Sequence, residues 1–288
     1  MSQLIRIATR SSAQARIQAE IVGAALVGAN PGCRTELVFV ETLGDQQADV
    51  PLHTIGGQGV FVKEVQRAVL DGHADIAVHS AKDLPSLQTV GLAIGAFCAR
   101  RDPRDALVGS TLHALTLGAT VATGSVRRRA QLLALRPDLH LVELRGNIHT
   151  RLTKIPDGGA IVMAIAALEV LGLRHRVDET FDIDAMVPAV GQGCVAVEHR
   201  TNDAAIGGTL ASIDDAATRR DVVAERTFLA ELGTGCSLPI GAHVANGVLS
   251  AFLAAESGRC LQSSVELGRD WNATAQRTAQ EMHAEILR

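Results

Sequence analysis

The sequence predicts an α/β protein: two α/β lobes followed by a small C-terminal α+β unit. Three observations lead there. Short apolar, β-branched runs alternate with longer helical segments through most of the chain, the order that gives a parallel-rich sheet with crossover helices. The alternation restarts after the basic stretch RRDPRDA at residues 100–106, so two such units are expected. The chain has 288 residues, which suits about two domains, and 47% hydrophobic against 20% charged residues is enough to fill their cores.

Taken in order, residues 4–9 (LIRIAT) read as a strand that leads into a helix from about residue 12 to 27, and residues 36–42 as a second strand. A glycine-rich loop over 55–61 enters a helix near 62–71; residues 75–80 and 91–97 are strands. In the second unit, 120–125 is a strand entering a helix over 126–135, 139–146 is a strand entering another helix, and 160–165 is a third strand before a helix that stops at Gly172. CVAVEHR, residues 194–200, is a further strand. A long helix over 215–232, one strand-like stretch over 244–253 and a helix from about Thr274 make the smaller unit. Ligands of such sheets sit beyond the carboxyl ends of the strands, so a crevice between the lobes is the expected site.

Composition removes several function classes. The net charge of −4 gives no bulk attraction to nucleic acid, and six Phe, one Trp and no Tyr leave few rings for stacking on single strands. The five cysteines, Cys33, Cys98, Cys194, Cys236 and Cys260, have no CxxC spacing, and the ten histidines show no HExxH pattern, so neither a disulfide framework nor a metal site is expected. The opening MSQLIRIATR has no long apolar core and no small-residue cleavage site. No stretch reads as a membrane span, and a cytoplasmic protein is expected.

One pattern recurs where strands end. Arg10 and Ser12 stand at the end of the first strand; Thr123, Ser125, Arg127 and Arg128 follow the second lobe's first strand; Arg145, Gly146, Asn147 and Arg151 follow its second. Each time a hydroxyl or amide and an arginine meet a helix N-terminus, where free N–H groups and the dipole favour anions and the guanidinium adds a carboxylate-matched fork. Such serines could simply cap helices beside solvated arginines. However, a solvated face has little reason to put cations at a helix N-terminus, and three such ends favour a polyanion site.

Three further places could carry chemistry. In HSAKDLP, Pro85 holds Leu84 out of helix and leaves Lys82 and Asp83 at a strand end. A lone carboxylate among cations suits stabilisation of a developing cation, although Asp is also a common turn residue. Cys236, in GTGCSLPIG, reads either as an attachable loop thiol or as a small turn residue. Gln192, in PAVGQG, offers an amide to a ligand or sits in a plain turn.

At IATRSS, GVFVKE, DIAVHSAKDLP, DPRDALV, GSVRRRAQL, LRGNIHTRL, PAVGQG, AERTFLAEL and GCSLPIG the chain resembles the porphobilinogen deaminase (hydroxymethylbilane synthase) family. The matches fall in the family's order from about Ile5 to Gly241, and the tail beyond them matches less well. The resemblance implies two periplasmic-binding-protein-like lobes with a crevice between them and a small C-terminal α+β domain. Domain 1 would take residues 1–98 and 194–213, domain 2 residues 99–193 and domain 3 residues 214–288, with the cysteine loop in domain 3.

The resemblance also implies a transferase of haem and tetrapyrrole biosynthesis that polymerises porphobilinogen head to tail, releasing ammonia, into hydroxymethylbilane. The primer would be one dipyrromethane per chain, joined covalently by a thioether to Cys236. Asp83 would be catalytic, stabilising the azafulvenium cation left by ammonia; Lys82, Asp83, Thr123, Ser125, Arg127, Arg128, Arg145 and Gly146 would hold the cofactor, and Arg10, Ser12, Arg145, Asn147, Arg151 and Gln192 the substrate. A monomer without metal, membrane or nucleic-acid partner is implied. Thr54, Gln58 and Val170 depart from the family's cationic positions, so a low-activity paralogue is one alternative; a two-lobe anion-binding receptor or effector domain is the other.

Overall fold

The structure is a computed structural model that describes residues 3–42, 59, 61–233, 239–255 and 257–288. In chain order it contains β1 (Gln3–Arg10), α1 (Ala13–Ala29), β2 (Cys33–Val40), α2 (Lys63–Leu70), β3 (Ile76–Ser80), β4 (Leu92–Phe97), β5 (Asp105–Val108), β6 (Thr120–Ala122), α3 (Val126–Leu135) and β7 (His140–Val142). There follow α4 (Ile148–Leu152), β8 (Ala160–Ala164), α5 (Ile165–Val170), β9 (Glu179–Thr180), β10 (Val195–Arg200), α6 (Ala204–Leu210), α7 (Ala216–Glu231), β11 (Ile240–Ala245), β12 (Val248–Ala254), β13 (Cys260–Glu266) and α8 (Trp271–Ile286). The chain divides into two compact units, residues 1–101 with 194–219 and residues 102–193 with 220–288.

The first unit is a five-stranded sheet in the order β2-β1-β3-β10-β4. Alternation along β1 dresses both of its faces. Ile5 and Ile7 pack with Val22 and Leu26 of α1, whereas Ala8 packs with Val65 and Val69 of α2. β1 is parallel to β2 and β3, as the crossover pattern predicts, but β10 runs antiparallel to both β3 and β4. The sheet is therefore mixed, because the chain re-enters it reversed after residues 102–193.

The second unit holds two sheets. One, in the order β7-β6-β8-β5-β9, repeats the same logic: β6 is parallel to β7 and β8, and β5 is antiparallel to its neighbours. β5 and β8 are buried at every position; β8 is an uninterrupted apolar run, and β5 is apolar except for Asp105. The other is the antiparallel sheet β11-β12-β13, whose Leu249, Ala251 and Leu253 form a core with Phe228 of α7 and Ala275, Ala279 and Met282 of α8.

The structure corrects the single strand expected over 244–253. Asn246 (φ 52°) and Gly247 (φ 78°) turn the chain there, so β11 and β12 form a hairpin. An Asn-Gly pair between apolar runs is the preferred two-residue hairpin turn, since both positions need positive φ. β5, β13 and α6 were not expected: β5 is only four residues long, β13 carries mostly polar side chains on an edge, and α6 contains two adjacent glycines.

Candidate functional site

In the first unit the parallel strands β1 and β3 end side by side, and the site starts from their carboxyl ends. Ser12 adopts an extended conformation and caps α1, its hydroxyl accepting from the Ala15 N–H at 3.4 Å. After β3 a 3-10 turn, Ala81–Asp83, projects Asp83, and Leu84 leaves it extended (ψ 141°) as Pro85 demands. Gln18 of α1 and Ser80 at the end of β3 are hydrogen-bonded at 3.2 Å, which pins the helix to the strand end. Arg10, Ser12, Gln18, Phe61, His79 and Asp83 line one recess. The Arg10 guanidinium lies 4.1 Å from the centre of the Phe61 ring, a cation–π contact that holds it in place. No hydrogen bond or ion pair among the described residues engages the Asp83 carboxylate, and Asp83 is half-buried. Lys82 lies beside it in the same turn, also half-buried.

The second unit supplies two adjoining strand ends. Ser125 caps α3, accepting from the Arg128 N–H at 3.4 Å, and Thr123, 1% exposed, accepts from the Ser125 N–H at 3.3 Å. Asn147 caps α4 through the Thr150 N–H at 2.9 Å. A side chain at Gly124 would meet the Leu144 carbonyl at 2.8 Å, so glycine there lets the two strand-end loops lie against each other. Gly146 (φ 113°) turns the second loop, whose carbonyl accepts from Arg151 Nε at 2.8 Å.

Arg127 and Arg128 are not solvated: they are 4% and 7% exposed. Both bind the fully buried Asp105, Arg127 Nη2 to Oδ2 and Arg128 Nη2 to Oδ1, each at 2.7 Å. Arg127 Nη1 and Arg128 Nη1 reach the Val187 and Val162 carbonyls at 2.6 and 2.9 Å. Gln192, 1% exposed, joins the cluster through Asp105 Oδ1 at 2.9 Å and the Pro103 carbonyl at 2.7 Å. Burial alone would raise the Asp105 carboxyl; the two guanidiniums outweigh it and hold it well below the usual carboxylate range. Burial in turn lowers Arg127, opposed by Asp105. Arginine at this helix start is thus explained by a buried carboxylate partner that the helix's own sequence does not contain.

Two buried arginine donors are left over. Arg127 Nε and Arg145 Nε have no hydrogen-bond partner among the described residues, an unmet capacity that suits carboxylates of a bound ligand. The structure thus gathers Arg10, Ser12 and Asp83 in one recess, and Arg127, Arg128 and Gln192 around Asp105, with Thr123 and Ser125 at the start of α3 and Arg145, Gly146, Asn147 and Arg151 at the next strand end. Cys236, Thr54 and Gln58 lie outside the described residues, and Val170 ends α5. Asp105, Phe61 and His79 were missed by sequence reasoning. Each lies inside a segment that carries the resemblance, Phe61 in GVFVKE, His79 in HSAKDLP and Asp105 in DPRDALV, but nothing local marked the residue itself.

Among the described cysteines, burial pushes the Cys33 and Cys260 thiols up and takes Cys98 to about 11, with Asp214 adding to the rise. Among the described residues no group of three His, Cys, Asp or Glu side chains could hold a metal, and no helix is long and apolar enough to cross a membrane.

Comparison with known proteins places this geometry in context. Residues 5–207 match the family model "Porphobilinogen deaminase, dipyromethane cofactor binding domain" and residues 220–268 match "Porphobilinogen deaminase, C-terminal domain". A porphobilinogen deaminase of Roseiflexus sp. is 45% identical over 91% of this chain and 89% of its own length. One of Acidothermus cellulolyticus is 50% identical over 83% of this chain and 74% of its own. Among solved structures, the methionine-binding protein MetQ is similar over 77% of this chain and 93% of its own, at 15% identity and a TM-score of 0.46.

Proposed function

The chain belongs to the porphobilinogen deaminase family, and on that premise we propose that it joins four porphobilinogen molecules head to tail into hydroxymethylbilane, releasing one ammonia per unit. It acts as a monomer in the cytoplasm. The observation that carries this reading is the match of both family domains, supported by the Asp83 carboxylate left unengaged beside Arg10 and Ser12.

The residues fit the family's dipyrromethane. Its pyrroles bear carboxylates, and the leftover Arg127 and Arg145 Nε donors are buried, cationic and unmatched among the described residues. Lys82, Asp83, Thr123, Ser125, Arg127, Arg128, Arg145 and Gly146 hold the cofactor, with Cys236 as its thioether anchor. When bound, the cofactor supplies a pyrrole carbon nucleophile to which the chain of units is attached. Cys33 and Cys194 are buried, and burial raises the thiols of Cys33, Cys98 and Cys260, so these four make poor attachment points, which favours Cys236.

Substrate carboxylates are taken by Arg10, Ser12, Arg145, Asn147 and Arg151, with Gln192 acting through Asp105. Asp83 stabilises the cation that forms as ammonia leaves the aminomethyl carbon, because a fixed carboxylate in a half-buried recess attracts developing positive charge more strongly than water does. The test is stoichiometric. Purified full-length protein given porphobilinogen is expected to release four ammonia per linear tetrapyrrole; substrate bound without ammonia release would overturn the reading in favour of an anion receptor.

A further inference from the structure

His79 and Glu198 form a buried pair at the Asp83 recess that the roles above leave unused. His79 lines the recess and is 6% exposed; Glu198, on β10, is 2% exposed. His79 Nε2 lies 3.2 Å from Glu198 Oε2, an ion-pair separation that is not aligned as a hydrogen bond. The same oxygen accepts from Gln66 Nε2 at 2.8 Å, and Gln66 Oε1 accepts from the Thr89 hydroxyl at 3.1 Å, so the carboxylate is fixed from α2. No lysine or arginine among the described residues pairs with Glu198. The carboxylate facing Nε2 orients the His79 ring and leaves Nδ1 as the nitrogen turned away from the pair. Among the described residues the other charged or titratable groups lining the recess are Arg10 on β1 and Asp83 in the turn after β3; α1 contributes the uncharged Gln14, Ala15 and Gln18, and α2 places Gln66 against the pair.

We propose that His79, oriented by Glu198, takes up the proton released at each coupling in the Asp83 recess and returns it to the departing ammonia. The inference rests on the deaminase reading. The aminomethyl group enters as ammonium; its C–N bond breaks and the electron pair leaves with ammonia. A C–C bond then forms from the free α-carbon of a pyrrole to the methylene carbon. That α-carbon sheds its proton, and the C–H electron pair restores the aromatic ring. His79 accepts the proton and passes it to ammonia, which departs as ammonium, so the imidazole is reset for the next unit. A second group in the recess lets the proton leave without neutralising the Asp83 carboxylate, which the next cation needs in its charged form. Nε2 faces Glu198, so Nδ1 is the nitrogen left for substrate. Glu198 is a positioning residue in this scheme.

The experiment uses the full chain in two forms. In the unloaded Cys236→Ser protein, the ring-nitrogen NMR signals of His79 are expected to shift when porphobilinogen is added, a contact seen without turnover. In the primer-loaded enzyme, His79→Gln is expected to lower kcat by on the order of a hundredfold, the usual loss for a general acid–base group, with KM little changed. With porphobilinogen deuterated at its free α-carbon, the isotope effect on kcat is expected to grow in His79→Gln, because proton removal becomes slow. Glu198→Gln is expected to lower kcat less and to displace its pH dependence. An unmoved His79 signal, or an unchanged kcat in His79→Gln, overturns the proposal. Should His79→Gln fail to fold, an unchanged pH profile in Glu198→Gln overturns it. Failure of the wild type to release ammonia sinks the deaminase reading instead, so the two failures are told apart.

Discussion

Asp83→Ala is expected to lower turnover by on the order of a hundredfold or more, the loss typical of removing one electrostatic stabiliser of a transition state. The geometry supports a specific loss. Asp83 ends a 3-10 turn, is half-buried, lines the recess with Arg10 and Ser12, and holds no ion pair among the described residues. Removing its carboxylate therefore breaks no hydrogen bond or ion pair among the described residues, and the melting temperature of Asp83→Ala should stay close to that of the wild type. Asp83→Asn, which keeps the shape and loses the charge, should be nearly as slow. Steady-state rates with matched melting curves check this; an Asp83→Ala variant with near-normal turnover would refute the catalytic role.

The opposite profile is expected at Asp105, where the effect falls on stability. Asp105→Asn leaves the Arg127 and Arg128 guanidiniums buried with no carboxylate between them. Breaking a buried pair by removing one partner typically costs about 3–5 kcal/mol, a large part of a domain's stability. The native pair also sets an acid limit. A carboxyl whose folded value is depressed stabilises the fold at pH above its ordinary value of about 4 and loses that contribution as pH falls toward the depressed one. The wild type should therefore lose stability on acidification below about pH 4, and Asp105→Asn should lack that part of the slope. Urea unfolding at neutral and acid pH separates the outcomes; a loss of less than about 1 kcal/mol at neutral pH would contradict the buried-pair account.

Local signals were legible in the sequence and distant ones were not. Ser12 and Ser125 were readable as caps because a cap depends on residues three positions away, and Asn147 caps α4 in the same way. The extended Leu84 was readable from Pro85. Asp105, by contrast, meets Arg127 and Arg128 across 22 and 23 residues, and only the placing of β5 against β8 brings them together. Glu198 reaches His79 through the antiparallel pairing of β10 with β3, a direction that no crossover pattern encodes. The hairpin at Asn246-Gly247 is a different matter: its dipeptide is a strong local signal, obscured by the apolar run on either side.

The most direct test of the account is the intact mass of the purified full-length protein beside that of Cys236→Ser, each taken before and after incubation with porphobilinogen. The account predicts a mass excess equal to a dipyrromethane on the wild type and none on the variant. A wild type that stays bare after incubation, or an excess that persists in Cys236→Ser, would contradict it.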